Sequence, residues 1–191
     1  LFYAVPMRDT NELAHQLLKE YGSLANLMES DSRELMNRFH ISEHIATLIT
    51  MVPSLSRRYQ LSRHREKEVL DSSTRAGEFA RSLFIGYPYE VFQLILLNSK
   101  NQVNHACVVQ EGTINEATVY PRVIVENALR HKAVSVIIAH NHPGGSLSPS
   151  AADISVTKKI KTALESISIR LMDHIIVAGD SYVSFAERDL L

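Results

Sequence analysis

The stretch from His140 to Asp153, HNHPGGSLSPSAAD, holds the residue types in this chain most able to do chemistry. Two imidazoles, His140 and His142, stand one residue apart, and the carboxylate of Asp153 follows after a short spacer. The run before them, Val134 to Ala139, is apolar and β-branched and predicts a buried strand. A strand's period of two puts both rings on one side of it. Pro143, Gly144 and Gly145 end the strand and turn the chain. Ser148-Pro149-Ser150 starts a helix, with Ser150 as N-cap and Asp153 at the third helical position. That position aims the carboxylate back toward the strand end. Two neutral His and one Asp make a three-ligand set with an open fourth position, the arrangement of catalytic zinc (Zn2+).

Each half of the pattern has a plainer reading on its own. A His-x-His is often surface chemistry, and Ser-x-x-Asp is most often a helix cap. Their combination across a Pro-Gly-Gly turn is what points to a metal. The spacing is not His-Glu-x-x-His. A zinc deaminase needs two or three cysteines, and Cys107 is the only one here.

Positioning these groups requires a layered α/β domain. The pattern predicts a helix over Arg75–Ile85, a strand from Glu90 to Leu97 and another from Val103 to Val109. A short turn at Asn98–Asn101 makes those two strands antiparallel. An extended entry at Ala117–Tyr120, a helix started by Pro121, and the strand into His140 follow. Then come a helix over Ala151–Ser166, a strand over Ile169–Ala178 and a short strand at Tyr182–Ser184. The outcome is a mixed β-sheet flanked by helices. Residues 1–68 read instead as a small all-helical segment. One helix is closed by Gly22, a second opens at Ser23, a third is capped around Asp31, and a fourth runs from Ser42 to Val52-Pro53. The boundary is placed between residues 68 and 69.

Global properties exclude more than they assign. A net charge of -1 gives the whole chain no electrostatic reason to bind nucleic acid or an anionic membrane. One cysteine forms no internal disulfide, which suits a reducing compartment and a cytoplasmic location. No signal peptide and no membrane-spanning apolar stretch is evident. The chain opens Leu1-Phe2-Tyr3-Ala4 without a Met and reads as a trimmed piece.

The His140–Asp153 stretch resembles the JAMM motif of the MPN-domain metalloproteases, in the form carried by RadC-like proteins. Asn141 stands between the histidines, as in RadC-like members, where deubiquitinating members carry Ser or Thr. The resemblance extends to Glu111–Asn115, Tyr120-Pro121-Arg122, Asp173-His174-Ile175-Ile176 and Tyr182–Arg188. It covers residues 75–191 strongly and the rest weakly. It implies an MPN/JAB-like domain over 69–191, with the layering also found in cytidine deaminases. It also implies a hydrolase that cleaves an amide bond of a peptide, protein or isopeptide-like substrate. Such a domain uses a zinc ion on His140, His142 and Asp153 to lower the pKa of a bound water toward about 7.

The family's fourth residue is an upstream Glu that acts as general base. Glu90, at the start of a strand, is preferred over Glu111, in a loop, because a base must be held rigidly. Ser150 is placed to donate a hydrogen bond to the oxyanion. Gln93 stands where many relatives have a small residue, which bears on how closely a substrate strand could approach.

Residues 1–68 resemble a degenerate helix-hairpin-helix, whose turn uses glycines to bring amides to phosphate. Here the turn is Arg38–Ser42, without glycine, so a helical packing module is favoured over DNA binding. A weak DNA contact would run through Arg57, Arg58, Arg63 and Arg65. The competing reading of the whole chain is a non-catalytic RadC-type accessory module in DNA repair or recombination. His105 and Cys107 read as packing residues. His15, His40, His44, His64 and His131 are remote from the motif; His174 is the exception, readable as lying in the sheet near the site but favoured as a hydrogen-bonded structural histidine.

Overall fold

In a computed structural model of the chain, residues 9–63, 68–112 and 121–191 are described, apart from the side chains of Leu61 and Arg63. The expected extended entry at 117–120, the side chain of Arg63, and Arg65 lie outside the described residues. The chain divides into two compact units, Leu1–Tyr59 and Gln60–Leu191.

The first unit is built of helices α1 (Asn11–Tyr21), α2 (Leu24–Met28), α3 (Ser32–Phe39) and the larger part of α4 (Glu43–Arg63). Its boundaries follow from local chemistry. Gly22 closes α1 at φ 71, with its N–H on the Leu18 carbonyl. The Ser23 hydroxyl accepts from the Asn26 N–H, and the Asp31 carboxylate accepts from the Arg33 and Glu34 N–H groups. Leu17, Leu27, Leu35, Ile41, Ile45, Ala46 and Ile49 form its core. At the α3–α4 turn His40 takes the left-handed conformation usually left to glycine, at φ 50, while Phe39 and Ile41 pack into that core. One expectation is corrected: α4 does not stop at Pro53 but continues through it to Arg63. A proline inside a helix removes one backbone hydrogen bond and costs about 3 kcal/mol. The buried Ile45, Ala46 and Ile49 anchor the first half, and the good helix formers Leu55, Arg57, Arg58 and Gln60 support the second.

The second unit contains α5 (Ser73–Leu83), β1 (Val91–Leu97), β2 (Val103–Glu111), α6 (Pro121–Arg130), β3 (Ser135–Asn141), α7 (Ala151–Glu165), β4 (Arg170–Ala178) and β5 (Ser181–Ser184). The strands form one mixed sheet in the order β2-β1-β3-β4-β5. Only β3 and β4 run parallel, which the crossover through α7 allows. β1 and β3 are buried along their whole length, so neither alternates in the way a half-exposed strand does.

The two faces of the sheet are covered by different helices. Phe92, Leu94, Leu96, Val136 and Ile138 pack with Ile124 and Ala128 of α6 and with Val156, Ile160 and Leu164 of α7. Val91, Ile95, Leu97, Ile137, Ala139, Ile175 and Val177 pack instead with Ala76, Phe79, Ala80 and Leu83 of α5. Gln93 belongs to the second face, where its amide donates to the Leu83 carbonyl at 3.2 Å. No helix among the described residues is long and apolar enough to cross a membrane.

Candidate metal centre

β3 delivers both imidazoles. His140 lies opposite Phe92 of β1, and the backbone N–H of His142 prolongs the β3–β4 ladder by donating to the Val177 carbonyl at 2.8 Å. The chain then turns at once. The Gly145 N–H donates to the His142 carbonyl at 3.0 Å, with Pro143 at the second turn position, where its fixed φ fits. The turn delivers the chain to α7, which opens with a complete capping box. The Ser150 hydroxyl accepts from the Asp153 N–H at 3.1 Å, and the Asp153 carboxylate accepts from the Ser150 N–H at 2.7 Å. The box that starts the helix therefore also fixes the carboxylate.

The three side chains converge. His140 Nε2 lies 2.9 Å from His142 Nε2 and 3.2 Å from Asp153 Oδ1, and His142 Nε2 lies 3.7 Å from Asp153 Oδ2. Among the described residues this is the only group of three or more His, Cys, Asp or Glu side chains close enough to hold one ion. Metal bonds of about 2.0–2.2 Å at tetrahedral angles put ligand atoms roughly 3.3 Å apart, which the observed spacings bracket. The donor chemistry agrees. His142 Nδ1 lies 2.7 Å from the Ser146 carbonyl. A carbonyl only accepts, so Nδ1 carries the proton and Nε2 offers a lone pair. Asp153 offers an anion: burial alone would push its carboxyl up, but its surroundings, among them the Ser150 N–H that donates to it, hold it well below the usual carboxylate range. The residues fit a divalent cation.

The other expected participants are placed by register. Glu90 immediately precedes β1, and its carbonyl accepts from the Gly112 N–H at 2.8 Å, which carries the β1–β2 ladder one step further. Alternation then puts Glu90 on the side of Phe92, hence of His140. Glu111 lies opposite Val91 and so belongs to the other face, with α5. Gln93 also faces α5, so it does not bear on substrate approach beside the histidines. Ser150 is exposed, and among the described residues its hydroxyl only accepts.

Two residues of the site carried no role in the sequence analysis. Asn141 is buried and clamps the backbone on either side of Glu90: its Oδ1 accepts from the Val91 N–H at 2.7 Å and its Nδ2 donates to the Tyr89 carbonyl at 2.9 Å. Thr157, one turn after Asp153, lies on the buried face of α7 among Val156 and Ile160. Its signal was a polar residue on an otherwise apolar stripe, four positions from a candidate ligand. His174 is completely buried and hydrogen-bonded, as a structural histidine would be, but its partner is His140 Nδ1, at 2.8 Å. Burial pushes His174 well below the ordinary histidine range. Of the remaining histidines, His105 stacks on His131 with ring centroids 3.9 Å apart, and Cys107 packs against the core under α6 and α7.

Comparison with known proteins bears on the same stretch. The model of the RadC-like JAB domain matches residues 70–190. This chain belongs to that family. Among RadC relatives, a UPF0758 protein of Saccharophagus degradans is 37% identical over 177 residues, covering 93% of this chain and 79% of the relative. A UPF0758 protein of Pseudoalteromonas translucida is 36% identical over 187 residues, covering 98% of this chain and 84% of its own. A third, from a Marinomonas species, is 37% identical over 180 residues, with 94% and 80% covered. The RadC-like match therefore takes in every residue of the candidate centre, from Glu90 to His174.

Proposed function

We propose that this RadC-like chain is a JAMM-type, metal-dependent hydrolase that cleaves an amide bond in a peptide, protein or isopeptide-like substrate. The observation that carries it is the convergence of His140 Nε2, His142 Nε2 and the Asp153 carboxylate on one point. A zinc ion bound there would supply Lewis acidity and bring a water to a pKa of about 7. Zinc suits a His2Asp set that leaves a coordination position open.

The chain's own groups do the rest. The Glu90 carboxylate takes the proton from the attacking water and hands it to the leaving amine. The Asn141 clamp holds that carboxylate's backbone against the strand carrying the histidines. The Ser150 hydroxyl accepts the Asp153 N–H and donates its own proton to the developing oxyanion, since one hydroxyl can do both. A single cysteine, half-buried and pushed up by burial, suits a reducing compartment such as the cytoplasm.

The test is metal content measured together with cleavage of a broad peptide library, with and without chelator. Cleavage lost to the chelator and restored by zinc supports the proposal. A zinc-loaded protein that cleaves nothing in the library, or cleavage that ignores the chelator, overturns it.

A further inference from the structure

The contact between His140 and His142 admits two proton arrangements. His140 could donate from Nε2 to the lone pair on His142, which would close the site without any metal. Alternatively His140 carries its proton on Nδ1, and two bare nitrogens face each other beside a carboxylate. Only the second arrangement can hold a cation.

A chain of hydrogen bonds behind His140 chooses between them. It starts at the Asp153 carbonyl, which only accepts. Thr157 Oγ1 lies 2.5 Å from that carbonyl, one helical turn back, and must donate to it. The hydroxyl has spent its only proton, so toward His174 Nδ1, at 2.6 Å, it accepts. His174 therefore carries its proton on Nδ1. The ring is fully buried with no carboxylate among its hydrogen-bond partners, so it carries one proton and is bare at Nε2. That nitrogen, 2.8 Å from His140 Nδ1, accepts the His140 proton. His140 Nε2 is left with a lone pair, aimed at His142 and Asp153.

We propose that Thr157 and His174 are positioning residues that fix the tautomer of His140, so that a lone pair and not an N–H faces the metal position. The proposal rests on the metal reading above and deepens it. The relay starts and ends on metal-site residues: the Asp153 carbonyl orders the proton of Thr157, and His140 receives the consequence. It also explains why a neutral imidazole stands where a carboxylate commonly orients a ligating histidine. The adjacent carboxylate, Asp173, is unavailable. It accepts from the His174 and Ala186 N–H groups at 2.7 and 3.0 Å and from the Ser184 hydroxyl at 2.6 Å. Strand alternation turns it to the face opposite His174.

The test compares two substitutions whose order reverses between a relay and simple packing. Thr157→Val keeps the shape and removes the hydroxyl, whereas Thr157→Ser keeps the hydroxyl and opens a small void. Affinity for Zn2+ and Co2+ is read by competition with a chromophoric chelator, and the histidine tautomers of the metal-free protein by nitrogen-15 NMR. The relay predicts about 10–100-fold weaker metal binding in Thr157→Val, with Thr157→Ser within about threefold of the parent. It also predicts His174 protonated on Nδ1 in the parent and on Nε2 in Thr157→Val. Packing alone predicts the reverse order. Thr157→Val binding as tightly as the parent, or parental His174 protonated on Nε2, overturns the relay while leaving the metal reading intact. A parent with the expected tautomer that takes up neither metal overturns both.

Discussion

Phe92 and His140 face each other across β1 and β3 with their rings parallel to within 8° and their centroids 6.1 Å apart. This stack reports the register that assembles the site. Phe92 sits two residues after Glu90, so the strand carrying Phe92 to His140 brings Glu90 to the same side. One residue of slip would send Glu90 to the α5 face and Glu111 to the His140 face.

Glu90→Gln is therefore expected to lower hydrolysis by at least about 10²-fold while leaving zinc affinity unchanged, because the amide keeps the shape and cannot take the proton. Glu111→Gln is expected to stay active. Parallel measurements of turnover and metal content decide this, and the reverse result would show that Glu111 is the base.

Asn141→Asp replaces a donor with an acceptor facing the Tyr89 carbonyl. The metal-free protein should lose roughly 1–3 kcal/mol of stability at neutral pH, the cost of an unmade buried hydrogen bond. Urea unfolding monitored by circular dichroism measures it. An unchanged midpoint would mean that the clamp contributes nothing to stability.

A Cβ added at Gly77 of α5 would clash with the ring of Tyr182 on β5. Alanine is favoured over glycine within a helix by about 1 kcal/mol, yet here overpacking of roughly 1–3 kcal/mol should win. Gly77→Ala is thus expected to lower the unfolding temperature in the parent and to raise it when Tyr182→Ala is already present. A loss of equal size in both backgrounds would show that the tyrosine is not the cause.

Metal-free stability should fall on mild acidification, because His174 is held well below its ordinary range by burial. Below the unfolded value of about 6.5 the unfolded chain binds the additional proton, so this stability is complete above that pH and declines beneath it. His174 alone adds a slope of up to about 1.4 kcal/mol per pH unit. His105, lowered chiefly by burial, acts in the same direction and remains in a His174→Gln variant. Asp153, held low, loses its share only below about pH 3.9. Urea titrations across pH 5 to 7.5, approximately, should show a shallower slope for His174→Gln, and identical slopes would refute the assignment.

DNA binding by the full chain is expected to be micromolar or weaker at physiological salt, the range of non-specific contacts, with a steep salt dependence. Phe39 and Ile41 are committed to the helical core, which leaves His40 as the turn's left-handed residue. Sub-micromolar binding that is lost when Arg57, Arg58, Arg63 and Arg65 are replaced would favour the accessory-module reading.

The His140–His142–Asp153 cluster was legible because each of its signals is local: a β-branched run into His140, a Pro-Gly-Gly turn, and a Ser-x-x-Asp cap. The mixed sheet was legible from the order of its elements. Partnerships made across strands were not. Asn141 read as a family variant and not as a clamp on Glu90, because its partners lie on β1 and just before it. His174 read as structural, since nothing near it in the chain announces Thr157 or His140. Pro53 read as a helix stop because local sequence records the lost hydrogen bond and not the tertiary anchoring that outweighs it.

His140, His142 and Asp153 all lie in one short stretch of chain, whereas Glu90 reaches them only through the pairing of β1 with β3. Gathering the ligands closes small loops and costs little chain entropy, while bringing up the base closes a loop several times longer. On the proposed function, affinity for the ion and competence to use it thus belong to different length scales of the fold. On that same function, a partly folded chain with β3 and α7 docked retains an ion while β1, and Glu90 just before it, is still free.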